Sequence, residues 1–318
     1  MTIPKSVLTW LFVGAGLGTG WCQSSGPVNY DRVGLLDWYT ANQAASFAVG
    51  NMPQGVAFDG ASIWVANEID NTVTKLQASD GSILGTFSVG TYPVPVAFDG
   101  ANIWVANNGT NTVTKLRAAD GACVGACKFT VGIAPRGLAF DGANMWVANE
   151  GSGTVTKLQA SDGSTLGTFN VGVTPIGLAF DGINMWVANY GSNTVMKLRG
   201  SDGSLLGTFN VGTNPFGVAY DGANIWVTNY GSNNVTKLKA SDGSVVGTYT
   251  AGTSPYGIAY DGAYIWIANL NANTVTKLQA SNGATLGTFN AGTLPSFVAF
   301  DGANIWVANN SSNNLSKL

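Results

Sequence analysis

Few residues of this 318-residue chain are equipped for chemistry: it has 17 acidic and 14 basic side chains, three cysteines and no histidine. Without histidine there is no imidazole general acid or base, no His-ligated zinc or copper, and no His-ligated haem. Twelve of the acids are aspartates in Asp-Gly pairs: Asp59, Asp80, Asp99, Asp120, Asp141, Asp162, Asp181, Asp202, Asp221, Asp242, Asp261 and Asp301. Their recurrence reads as turn geometry, because Asp tolerates and Gly accepts the positive φ of a tight turn. Glu68, Asp70 and Glu150 stand outside such turns. Two of them together could form an acid/base pair. All three could hold Ca²⁺ only if they converged within a shell of six or more oxygens. Glu68 and Glu150 fall two repeats apart, so no metal is expected, and nothing in the sequence calls for a cofactor.

Cys123 and Cys127 occupy the one insertion in the repeats, GACVGACKF. In an exported chain they are expected to form a disulfide across this loop. Export itself is read from the start of the sequence. Lys5 is the only charge before Asp31, and an apolar run from Val7 to Trp21 follows it. That run is short for a membrane span and suits the core of a signal peptide. Residues 1–25 are therefore read as a signal peptide or N-terminal hydrophobic segment, and 26–44 as a linker. A lipid anchor at Cys22 is disfavoured by the bulky Trp21 before it.

The elements that position these residues come from the repeat. Trp64, Trp104, Trp146, Trp186, Trp226, Trp266 and Trp306 each sit in a phrase such as FDGANIWVAN, about 40 residues apart. With 45% hydrophobic and 10% charged residues, the chain is a folding sequence, not a disordered one. In the repeat over residues 175–212, strand a is expected at Gly177–Phe180, b at Asn184–Asn189, c at Thr194–Leu198 and d at Leu206–Val211. Four short strands per repeat of about 40 residues predict an all-β fold, a seven-bladed β-propeller over residues 45–318. The seventh repeat has no fourth strand, whereas Ala45–Gly50 has the pattern of one. Ser46–Val49 is expected to pair with Asn313–Leu318 and close the ring, leaving no exposed edge at the seam. The seven tryptophans are assigned to packing between blades. The lysines of the third strands, Lys75 through Lys317, are assigned to solvent.

The phrases IWVAN and NTV resemble those of the YVTN/NHL-type β-propellers, the wider group that includes streptogramin lyases. The resemblance covers residues 51–318 and implies seven blades around a central channel. The chemistry of streptogramin lyase depends on a histidine that this chain lacks. The segment KLQASDGSTLGTF also resembles the quinoprotein repeat, but Gly167 stands where that repeat has its docking tryptophan.

What differs among repeats is confined to one face, that of the d–a and b–c loops. After each loop proline stand Gln54, Val94, Arg136, Ile176, Phe216, Tyr256 and Ser296. After each strand-b asparagine stand Glu68, Asn108, Glu150, Tyr190, Tyr230, Leu270 and Asn310. Divergent loops on a rigid scaffold point to a ligand surface. Tyr190, Phe216, Tyr230 and Tyr256 are expected to form an apolar patch opposite Glu68, Asp70, Glu150 and Arg136, with Gln54 also among the ligand-binding residues. The expected function is that of an exported, monomeric, non-catalytic scaffold binding a protein, glycan or small molecule on this face. It is periplasmic, extracellular or on the cell surface. A lyase or hydrolase using carboxylates or tyrosines, and a structural surface-layer-like component, are the alternatives. A net charge of −3 and a pI near 4.8 disfavour nucleic acid as partner.

Overall fold

The computed structural model describes residues 45–318; the expected signal peptide and linker lie outside the described residues. Each repeat forms a four-stranded antiparallel sheet, and seven such sheets make the ring. Within a blade the strands run a, b, c, d from the channel outward. Blade 4, for example, has strand a at Pro175–Phe180, b at Asn184–Asn189, c at Thr194–Arg199 and d at Leu205–Asn210. Strand a starts two residues earlier than its sequence pattern suggests, because Pro175 pairs with Asn189 across a bulge. Proline is tolerated at a strand's first position, where its missing N–H is not needed.

The seventh blade takes its outer strand from the beginning of the described chain. Ala45–Ala48 lies antiparallel to Asn314–Lys317, with Phe47 opposite Leu315. The ring closes as the sequence implies. The tight Asp-Gly turns and bulged strands are all local, so the fold is assembled from short-range hairpins and one long-range pairing.

The core lies between blades. Six of the seven repeat tryptophans are fully buried, and Trp266 is 8% exposed. Trp186 of blade 4, for example, packs with Ile225, Val227 and Leu238 of blade 5. Each indole Nε1–H donates to the carboxylate of its own a–b turn aspartate at 2.7–2.8 Å. The other carboxylate oxygen accepts backbone N–H groups of the same turn, as Asp141 does from Ala143 and Asn144. These aspartates therefore make the turn and satisfy a buried donor at once.

The third-strand lysines are not solvated. Lys75, Lys115, Lys157, Lys197 and Lys237 are 3–9% exposed. Each carries its Nζ over the tryptophan ring of its own blade at 4.8–5.2 Å. The Nζ then donates to a carbonyl of the next blade's c–d turn, at 2.6–2.7 Å. Strand c alternates its side chains between neighbouring blades, which places this position in the inter-blade gap and not on the rim. Lys317 makes the same bond to Ala78 at 2.8 Å and ties blade 7 to blade 1. Lys277 is the exception. Among the described residues blade 7 has no c–d turn to receive it, and its Nζ lies 3.9 Å from the centroid of Tyr264 and 4.6 Å from that of Trp266.

A strand-d aromatic completes each junction. Phe169, for example, lies 5.7 Å from Trp146 and faces Gly203 of the next blade's turn, where a Cβ would collide with the ring. Phe289, with no such turn to cover it, is 38% exposed.

Two outcomes follow from this packing. Lys157→Ala should lower stability by about 1–3 kcal/mol in urea unfolding, since it removes a cation–π contact and two charged hydrogen bonds. Lys277→Ala should cost clearly less; equal costs would show that the inter-blade carbonyls contribute nothing. The second outcome concerns acid. Hydrogen bonds from Trp146, Asn144 and the backbone hold the Asp141 carboxyl below its usual range, although burial pushes it up. A group with a lowered folded pKa contributes stability above its unfolded value of about 3.9 and loses it as pH falls through the folded value. Asp141→Asn should therefore be destabilised at pH 7, and its deficit relative to wild type should shrink below about pH 4. A deficit independent of pH would rule out the carboxylate as the stabilising form.

Candidate functional site

Two sets of asparagines build the variable face. The last residue of each strand b (Asn67, Asn107, Asn149, Asn189, Asn229, Asn269, Asn309) is fully buried. In six blades its Oδ1 accepts from a glycine N–H of the d–a loop, as with Gly132 and Asn149 at 3.1 Å. Its Nδ2 donates into strand c. A second asparagine, in the b–c loop, takes left-handed φ in six blades: Asn71, Asn111, Asn193, Asn233, Asn273 and Asn313. Its Oδ1 accepts from a d–a loop N–H, as Asn111 does from Ala134 and Asn193 from Asn214. Blade 3 breaks the pattern. Gly153 stands there, so the Thr174 N–H has no such side chain to bond.

A cleft of about 760 Å³ opens at this break. Gly153 and Thr174 line it together with Gln54 and Glu68 of blade 1, Val94 and Asn108 of blade 2, Arg136 and Glu150 of blade 3, and Val173. The residue after the loop proline lies within the bulge of strand a, as Arg136 does between Pro135 and Gly137. A bulge re-aims a side chain, and here the variable residue turns toward the channel axis. Below the cleft lies a second chamber of about 150 Å³, walled mainly by strand-a residues such as Val56, Val96, Leu138 and Ile258. Arg136 lines both.

Arg136 reaches across the mouth. Its Nη1 pairs with Glu150 at 3.1 Å. Its Nη2 donates to the Tyr256 hydroxyl of blade 6 at 3.1 Å, and the guanidinium lies 5.7 Å from the Phe216 centroid in blade 5. Burial works against the charged guanidinium, yet Tyr256 and Glu150 outweigh it and hold the group firmly protonated. Burial pushes the Tyr256 phenol up, against the opposing pull of Arg136, so it stays a neutral donor or acceptor at ordinary pH.

The aromatics differ from the expected open patch. Phe216 and Tyr256 are 3% and 7% exposed and stack with centroids 3.5 Å apart. With Ile176 they form a small core that caps the channel. Tyr190 and Tyr230, 6.3 Å apart, cover that core and remain partly exposed. The cap is buried because bulged residues from the neighbouring blades 4, 5 and 6 pack on one another at the axis. That meeting is invisible to a reading that treats each repeat separately.

The carboxylates do not converge on a cation. Glu150 pairs with Arg136, Glu68 accepts from Gln54 Nε2 at 2.6 Å, and Asp70 accepts from the Asn51 backbone and side chain. No metal-ligating cluster exists among the described residues. The site therefore brings Gln54, Glu68, Arg136 and Glu150 to one cleft and places Phe216 and Tyr256 beneath it. Sequence reasoning missed Gly153, and Asn108 was read as a variable position without being singled out. The signal for Gly153 was one broken letter, GSGTV where the third letter is Asn in the six other repeats, as in GSNTV. The disulfide joins Cys123 to Cys127 in strand d of blade 2, on the rim and away from this site.

No protein-family profile matches the sequence, and neither does any curated protein. Solved structures do match. Hydrazine synthase from Kuenenia stuttgartiensis superposes with a TM-score of 0.76 at 20% identity, covering 86% of this chain and 96% of that one. A streptogramin B lyase gives 0.73 at 19% identity, over 86% and 96%. A catalytically inactive virginiamycin B lyase from Staphylococcus aureus, with quinupristin, gives 0.74 at 18%, over 86% and 98%. At these identities the likeness establishes the seven-bladed propeller fold.

The cross-channel bond gives a direct test. A double-mutant cycle of Arg136→Met and Tyr256→Phe, read by urea unfolding, should show a coupling of about 1 kcal/mol. Strict additivity would mean that the two side chains do not meet in solution.

Proposed function

We propose that the chain is an exported, non-catalytic binding propeller whose ligand seats on the d–a/b–c face, in the cleft over blades 1–4. The observation that carries this reading is where the repeat departs from itself. Gln54, Glu68, Arg136 and Glu150 stand at the two positions that vary from repeat to repeat, Gly153 replaces an asparagine kept in the six other repeats, and all five line one cleft. Drift alone has no reason to gather them. The disulfide is consistent with an oxidising compartment and hence with export.

Binding is favoured over the lyase or hydrolase alternative by the state of the groups present. A general base needs a pKa near the working pH and a free lone pair aimed at substrate. Glu150 is tied to a guanidinium, Glu68 accepts from the Gln54 amide, and burial drives the Tyr256 phenol away from neutral pH. What is said of the lyase structures about quinupristin concerns those proteins and lends only the precedent of a ligand on this fold.

The test is an array of glycans, peptides and small molecules probed with the intact chain. A binder found there should lose about tenfold or more in affinity with Gln54→Ala or Arg136→Ala, as for anchors at the centre of an interface. Phe289→Ala, on the outer rim, should leave affinity unchanged. A ligand whose affinity is indifferent to both site variants in a folded protein would move the site elsewhere.

A further inference from the structure

The cleft is asymmetric in chemistry as well as shape. Its only cation, Arg136, is already engaged by Glu150 and Tyr256. Glu68 takes part in none of the five ion pairs among the described residues. It is half-buried, and its recorded side-chain partner is Gln54 Nε2. That bond fixes which end of the Gln54 amide is which, for the carboxylate can only accept. Gln54 Oε1 is left buried with no partner, in a side chain only 8% exposed. Such an orphan acceptor is costly, and a group that donates to it recovers the loss. Asn108 lines the same cleft and adds an amide oxygen. The d–a loops beside the cleft are apolar at their tips: Tyr92, Ile133 and Val173 are 49%, 59% and 63% exposed.

We propose that this cleft takes a primary ammonium group carried on an apolar body, with Glu68 as its counter-ion and Gln54 Oε1 as a second acceptor. The inference rests on the preceding reading of this face as the binding face. An ammonium has three donors and no acceptor, which matches a subsite that offers acceptors and an unneutralised carboxylate. In the unliganded arrangement Gln54 Oε1 is walled off, so binding turns the amide toward the cleft while Glu68 keeps its place. The apolar body covers Val173 and Ile133, whose exposure is otherwise unexplained. A neutral polyol would satisfy the acceptors but leave Glu68 without a counter-ion, and a ligand carboxylate would meet Glu68 with the wrong sign. Gly153 provides the entrance, since an asparagine there would bond Thr174 as its counterparts do in the other blades.

The test uses two probes of nearly equal shape, 2-phenylethylamine and 2-phenylethanol, titrated into the intact chain and followed by NMR. The amine should bind saturably with a Kd of about 1 mM, the range expected for a ligand of this size, and at least about tenfold more tightly than the alcohol. Glu68→Gln should bring the two probes within about twofold of one another. Asp70→Asn, which removes the same charge from the same loop, should keep the preference, and Gly153→Asn should weaken the amine. Raising salt from about 0.05 to 0.5 M should weaken the amine alone, a readout that needs no variant. Equal binding of both probes, no saturable binding of the amine, or an unchanged preference in Glu68→Gln would each overturn the proposal. If the amine fails while an array ligand is still lost with Arg136→Ala, only the ammonium assignment falls. If both fail, so does the assignment of the face.

Discussion

Everything else in the ring depends on one buried interaction, a lysine ammonium laid over a tryptophan and bonded to carbonyls of the next blade. Burying an ammonium is costly unless it is paired and hydrogen-bonded. Here the carbonyls of the neighbouring turn accept it, the indole face attracts it, and in blades 3 and 5 the turn aspartate comes within 3.8–3.9 Å. The pieces are supplied by two blades, so neither blade can bury its lysine alone. This makes each blade's stability conditional on its successor. Lys317 carries the chain of dependence from blade 7 back to blade 1, beside the closing strand whose Phe47 packs at a tilt on Trp306, ring centroids 5.2 Å apart. The seam between blades 6 and 7 is the weakest link by the same reasoning, for there the lysine finds aromatic faces but no recorded carbonyl.

The arrangement also changes the surface charge. Five strand-c lysines are less than a tenth exposed, so the accessible surface carries fewer cations than the sequence count implies. Arg117 and Arg199 are paired with Asp120 and Asp202 on the c–d turns. The a–b turn aspartates are buried with them, Asp141 and Asp221 having side chains 6% exposed, so burial removes charge of both signs from the surface. The formal net charge of −3 repels polyanions and attracts cationic groups over a Debye length or so.

How much of this was legible in the sequence follows from the range of each interaction. Strands, turns and blade number are local, and the period of tryptophans and Asp-Gly pairs displays them openly. Ring closure was legible too, because the pattern around Phe47 matches strand d in the other repeats. The lysines were misread for a definite reason. A charged residue in an alternating strand reads as outward-facing when only one sheet is considered, and here both faces of each sheet are covered by neighbours. The aromatic cap was half-read: Phe216 and Tyr256 were picked out as variable, but their burial depends on side chains of successive blades packing on one another at the axis. Arg136 and Tyr256 are 120 positions apart, and no repeat-by-repeat reading pairs them. Gly153 was missed because the loss of a side chain is a weaker signal than its replacement.

A symmetric propeller mouth has a geometric difficulty as a binding site. Seven equivalent loops present seven equivalent weak sites, or one on the axis, and an axial ligand must itself match the symmetry. This chain resolves the difficulty by filling the axis. Phe216 and Tyr256 stack there, and Arg136 crosses to lock them to Glu150, so the centre is occupied by the protein's own side chains. The available space is then displaced to one side, where a single missing asparagine leaves the loops of blades 3 and 4 without their usual tether. Acceptors fall on blades 1 to 3 and tyrosines on blades 4 and 5, so the mouth has a polar and an aromatic half. An off-axis cleft lined by unlike groups, Gln54 and Glu68 on one blade and Arg136 with Glu150 on another, can fix the orientation of an unsymmetrical ligand. A sevenfold mouth cannot, and this is the physical reason to place recognition at the cleft and stability at the axis.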